Sequence, residues 1–220
     1  MINFIKKQIF LLIILLFSSN LWAFSSSSFL VSQSAFKNYD YDLSISHLGE
    51  NELNITNTSL LDKIIAAIIT KNLSLANTLA NEILLTDKNN QEAYIVNLVY
   101  YYNKKNYDKI NYLYKKNNNI NELIDFIFFN DGKLKKNISI SNSLVEIVVS
   151  SFSNADQRNL NYNFLLFYIS LAQLIDPAND RATIIKGELF QNIKKVKEAR
   201  FVFEQINKNS QYYLEAQKSL

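Results

Sequence analysis

Residues 176–203 read DPANDRATIIKGELFQNIKKVKEARFVF, and this stretch decides the fold. Apolar residues recur at three and four positions in two segments, one from about Asp180 to Asn192 and one from about Val196 to Asn207. That is the spacing of one face of a helix. Pro177 is the chain's one proline, and it stands where a preceding helix has to end. Gly187 lets two helices approach closely, and Phe190, three residues on, fills the groove beside it. Ala199 is the small residue at the start of the second helix, and Phe203 packs one turn later. The spacings Gly-x2-Phe and Ala-x3-Phe therefore predict a helical hairpin whose members touch through small residues.

The same unit recurs upstream. Leu60, Leu61, Ile64, Ile65, Ile68 and Ile69 form one apolar stripe, and Leu75, Ala76, Leu79, Ala80, Ile83 and Leu84 form the next. The break at 71–74 places a candidate N-cap at Ser74. A third hairpin is predicted from about Gln91 to Asn103 and from about Tyr107 to Lys116. The turns Asp87 to Asn90 and Asp176 to Asn179 share an Asp-x-x-Asn pattern. One marker per second helix gives Leu43, Ala76 and Ile110, spaced 33 and 34 residues, then Leu165 and Ala199, spaced 34. A period of about 34 residues in a helix-turn-helix unit is the tetratricopeptide signature. The 55-residue step from Ile110 to Leu165 breaks phase, so an irregular segment is expected between them. It should hold helices near 120–130 and 141–153, with a loop around Gly132 to Asn137.

Composition agrees. Gly is 3 and Pro is 1 in 220 residues, too few for the turns of a sandwich or barrel. At the N-terminus, Lys6 and Lys7 precede an apolar run from Ile9 to Phe17, with Ala23 at a cleavage edge. This reads as a secretory signal, too short for a membrane span of roughly 20 residues. An uncleaved anchor is the alternative. Cys is 0, so neither a disulfide nor a lipidated cysteine is possible.

Net charge is +3, of which +2 lies before Phe24, leaving +1 for the rest. That balance gives no electrostatic footprint for nucleic acid. The pairs Lys104–Lys105, Lys115–Lys116 and Lys194–Lys195 are expected at helix ends, where cations favour the dipole. His47 is the chain's one histidine, which excludes a His cluster and a His-based triad. The three glycines lie far apart, so there is no phosphate-binding loop. No catalytic residue, metal or cofactor is expected, and the chain does not read as an enzyme.

Two stretches carry a resemblance. One runs from Phe29 through Ala35 and Asn38 to Leu43, then Leu60, Leu61 and Ala76 to Ala80. The other runs from Ser143 through Asp176, Pro177, Glu198 and Ala199 to Ala216. Over these the chain resembles the exported tetratricopeptide-repeat proteins of alphaproteobacteria. Members of that family are longer, with further repeats. The resemblance implies a periplasmic scaffold for protein–protein contacts, without known catalysis.

The expected fold is all-α, a right-handed α-solenoid of roughly five helical hairpins. Its expected divisions are a signal over 1–23, a polar spacer over 24–28 and hairpins over 29–116. An irregular helical segment follows over 117–158, then hairpins over 159–220 with the last repeat incomplete. The first helix of each hairpin lines the concave face of such an array. That rule nominates Glu92, Tyr102 and Asn103, with Val99, in the third hairpin. It nominates Arg181, Glu188, Gln191 and Asn192, with Ile184, in the last, and Leu61, Ile65 and Ile68 in the second. The expected partner is a protein or peptide, with no nucleic acid, and membrane contact only if the N-terminal segment is uncleaved.

Overall fold

The computed structural model describes residues 27–47, 57–116, 122–154 and 160–220. The signal over 1–23 and the Gly49 region lie outside the described residues. Among those described, the chain forms twelve helices and one small β-hairpin. It divides into two compact units, Met1–Ser59 and Leu60–Leu220.

In the first unit, α1 covers 27–37 and α2 covers Tyr41–Ser46. Ser27 and Ser28, read from sequence as the end of a spacer, thus open α1. Phe36 and Tyr41 are buried and meet edge to face at 6.0 Å. The Ser32 hydroxyl donates to the Ser44 carbonyl at 2.8 Å, pinning the two helices together. Ser44, not Leu43, holds the buried register of α2: Leu43 is 41% exposed and Ser44 only 2%. The first marker step is therefore 32 residues, from Ser44 to Ala76.

The second unit contains most of α3 (Asn57–Ile69), then α4 (Leu73–Thr86), α5 (Gln91–Asn103) and α6 (Tyr107–Lys116). After α7 (Glu122–Phe128) come β1 (Phe129–Asn130) and β2 (Lys133–Leu134), then α8 (Asn137–Asn154). The chain closes with α9 (Tyr162–Ile175), α10 (Asp180–Asn192), α11 (Val196–Phe203) and α12 (Tyr213–Lys218).

One turn geometry joins several of these helices. Lys71, Lys105 and Lys194 all adopt positive φ, at 63°, 55° and 62°. Each lies two residues past one helix and two before the next. Their amides donate to Ile68, Tyr102 and Gln191 carbonyls, and the following amides of Asn72, Asn106 and Lys195 reach Ala67, Tyr101 and Phe190 at 2.7–2.9 Å. This pair of bonds is the Schellman closure, which satisfies carbonyls orphaned at a helix end. Within the first unit Tyr39, at φ 57°, makes the same turn. The residue that ends one helix also starts the next, because Asn72 accepts from the Leu75 amide and Asn106 from the Lys109 amide. The N-cap of α4 is thus Asn72 and not Ser74, which lies inside the helix.

The two Asp-x-x-Asn turns are also alike. The Asp87 and Asp176 carboxylates accept from amides two residues on, and Asn90 and Asn179 cap the following helices through the Ala93 and Ala182 amides. Asn179 does more. Its side-chain amide donates to Ser141 Oγ at 2.9 Å and Asn142 Oδ1 at 3.1 Å on α8.

Helix α9 is the centre of this unit. It packs against α5, α8 and α10, and Leu165 to Ala172 and Ile175 are all buried. A helix buried on nearly every side needs apolar residues all round, and α9 has them. The irregular segment departs from the expected loop. Its β1 and β2 pair antiparallel, Phe129 opposite Leu134, around Asp131 and Gly132 at φ 49° and 73°. Those angles are those of a two-residue primed turn, which Asp-Gly favours. Helix α11 ends at Phe203, four residues short of the expected Asn207.

Candidate interaction surface

The residues nominated for a concave face lie on α5 and α10, and each can now be placed. Glu92 is half-buried in the first turn of α5. Its charge adds to the stronger effect of burial in raising the pKa of the Tyr168 phenol on α9. Tyr102 is half-buried and edge-on to Tyr107 at 5.7 Å. Burial, then Tyr107, pushes its phenol up. Asn103 is exposed and donates to the Val99 carbonyl at 3.1 Å.

On α10 the nominated residues meet other elements. Arg181 forms an ion pair with Glu146 of α8 at 2.5 Å. Glu188 is half-buried, and burial followed by the nearby Glu215 of α12 raises its carboxyl above the usual range. Gln191 donates to the Ser219 carbonyl at 3.0 Å, just past α12. Asn192 is exposed. Glu188 and Gln191 thus face the last helix, whose Ala216 is fully buried. The structure brings Glu188 and Gln191 together there, while Arg181 belongs to a separate contact.

The apolar members of the nominated face are core residues. Val99 and Ile68 are fully buried, Ile65 is 1% and Ile184 4% exposed, and Leu61 is half-buried. Helix α9 packs against both α5, which carries Val99, and α10, which carries Ile184. Three apolar positions on α3 therefore form no open patch.

Sequence reasoning passed over two polar features of the interior. Lys186 of α10 is 4% exposed, with its ammonium in no ion pair among the described residues. Burial, and secondarily Lys71, lowers its pKa to about 7. Lysines usually extend their charge to water, so a Lys inside the run from Ala182 to Phe190 looks like a surface residue in sequence. The second feature is an asparagine contact between α4 and α5. Asn97 Nδ2 donates to Asn81 Oδ1 at 3.0 Å, while Asn97 Oδ1, Asn77 Oδ1 and the Tyr94 hydroxyl are buried with no hydrogen-bond partner among the described residues. Burial raises the Tyr94 phenol to about 12.

Among the described residues, no three His, Cys, Asp or Glu side chains converge as a metal ion would require. No described helix is long and apolar enough to cross a membrane. Of the nominated polar residues, Asn103 and Asn192 are exposed and Glu92 is half-buried. Compared with protein-family models, curated proteins and solved structures, the chain matches none.

Proposed function

We propose that this chain is an exported scaffold of the tetratricopeptide type, a right-handed α-solenoid that holds a protein partner in the cell envelope. The observation that carries this reading is the recurrence of one turn. Lys71, Lys105 and Lys194 close three hairpins with the same positive φ and the same pair of backbone bonds. Equivalent Asp-x-x-Asn turns lead into α5 and α10. A chain that repeats one hairpin presents the same helix face repeatedly, which suits extended contact with another polypeptide. The N-terminal apolar run after Lys6 and Lys7 supports export.

Partner contacts would be made by Glu92, Tyr102 and Asn103 on α5 and by Asn192 on α10. Arg181, Glu188 and Gln191 are engaged within the chain, so they would contribute only where α12 is displaced or α8 shared. The test is affinity capture from envelope extract with the parent chain and with a Glu92→Lys, Asn103→Lys variant. Capture of one protein by the parent and its loss from the variant is the expected result. Equal capture by both, with both folded, would remove α5 from the binding face. The second reading is a membrane-anchored assembly factor, favoured by the apolar run from Ile9 to Phe17. Protein isolated with Phe24 at its N-terminus would exclude it.

A further inference from the structure

The hairpin of α5 and α6 carries a run of positive charge with little acid to balance it. Residues 100–116 hold Lys104, Lys105, Lys109, Lys115 and Lys116 against one acid, Asp108. That is +5 − 1 = +4, while the whole chain is +3, so everything else sums to −1. Among the described residues none of these lysines pairs with a carboxylate. Three of the five lean on tyrosines instead. Lys104 lies 5.8 Å from the Tyr100 ring, and Lys109 lies 5.9 Å from Tyr101 and 5.1 Å from Tyr112. Lys116 is 5.7 Å from Tyr112 as well. Cation–π contacts hold a side chain in place without neutralising it. Tyr107 and Tyr112 are 43% and 52% exposed. At the turn, Lys104, Lys105, Asn106, Tyr107 and Asp108 line a shallow open concavity of about 390 Å³.

We infer that this hairpin docks on an anionic phospholipid surface through its turn and α6, beside the partner-contact residues Tyr102 and Asn103 proposed above. Un-neutralised lysines interleaved with exposed tyrosines are the residue types of the membrane–water boundary. The lysines meet headgroup phosphates while the tyrosine rings enter the interface. Helix α6 suits such a role, since only Ile110 is fully buried and Tyr107, Tyr112, Lys115 and Lys116 all face solvent. A nucleic acid fits less well. Bases stack on free aromatic faces, and two cations crowd the Tyr112 ring.

The test is vesicle co-sedimentation of the full chain. Vesicles are phosphatidylcholine alone, or phosphatidylcholine with one-third phosphatidylglycerol. The variant carries Lys104→Gln, Lys105→Gln and Lys109→Gln together, all at exposed or half-exposed positions. Each lysine near an anionic surface contributes about fivefold, so the variant should lose about a hundredfold in affinity for the anionic vesicles. Residual binding through Lys6, Lys7 and the N-terminal apolar run would be equal for both proteins, so the parent–variant difference on anionic vesicles reads the hairpin alone. The matching triple Lys→Arg variant should retain binding, and high salt should abolish the difference. Equal parent binding to neutral and anionic vesicles would overturn the proposal. So would an unchanged triple Gln variant, or tighter binding of the parent to an oligonucleotide or polyglutamate than to the anionic vesicles.

Discussion

Gly187 of α10 lies directly against the ring of Phe203 of α11. A β-carbon on Gly187 would stand 2.6 Å from Phe203 Cδ1 and closer still to Cε1. Phe203 is 1% exposed, so its ring has nowhere to retreat. Gly187→Ala should therefore destabilise the protein by about 1–3 kcal/mol through overpacking, despite the better helix propensity of alanine. Urea denaturation measures it. Gly187→Ala combined with Phe203→Leu should recover part of the loss, because the two changes share one space.

Asn179 and Asn90 cap their helices alike, but Asn179 alone also donates to Ser141 and Asn142. Asn90→Ala should cost about 1 kcal/mol for the lost cap. Asn179→Ala should cost about 1 kcal/mol more, for the bonds to α8. Denaturant midpoints of the two variants, with unchanged slopes, check the difference.

Lys186 is a buried lysine whose pKa is lowered by burial first and by the charge of Lys71 second. Its folded pKa of about 7 lies below the ordinary 10.5 of the unfolded chain. Between those values the unfolded state binds a proton that the folded state does not, so stability rises with pH across that window. Below about 7 the full cost of burying the charge is present. Lys186→Met should stabilise the protein at pH 7 by about 1–4 kcal/mol, and the gain should shrink as pH rises towards 9.5. Melting temperatures of parent and variant at several pH values measure this. A gain that grows with pH would contradict it.

Much of the helical layout was legible in sequence. The bounds of α5, α6 and α10 could be read because a 3.6-residue apolar period meets Asn caps and polar breaks at both ends. The close approach at Gly187 could be read from the glycine, but the ring that meets it is Phe203 of α11 and not Phe190, three residues on, as the spacing suggests. The central place of α9 could not, since a helix buried all round shows no stripe. Ser44 was passed over as a core residue because its role rests on a hydrogen bond with Ser32. The β-hairpin at 129–134 did carry a signal, Asp131-Gly132, but two-residue strands have no period to read.

The interaction face was legible only in part. Exposure of Asn103 and Asn192 follows from their place at helix ends. Val99 and Ile184 are buried on helices that pack against α9, and the engagement of Glu188 and Gln191 depends on Glu215 and Ser219 at the last helix. Both are long-range contacts that no local pattern encodes.

The most direct test of the scaffold account is photo-crosslinking in intact cells. A photoreactive residue is placed at Asn103, at Asn192 or, as a control, at Leu85, which is 81% exposed on α4. The account predicts that one protein is captured from both 103 and 192, in the envelope fraction, and is not captured from 85. Capture of no protein from 103 and 192, or of the same protein equally from all three positions, would contradict it.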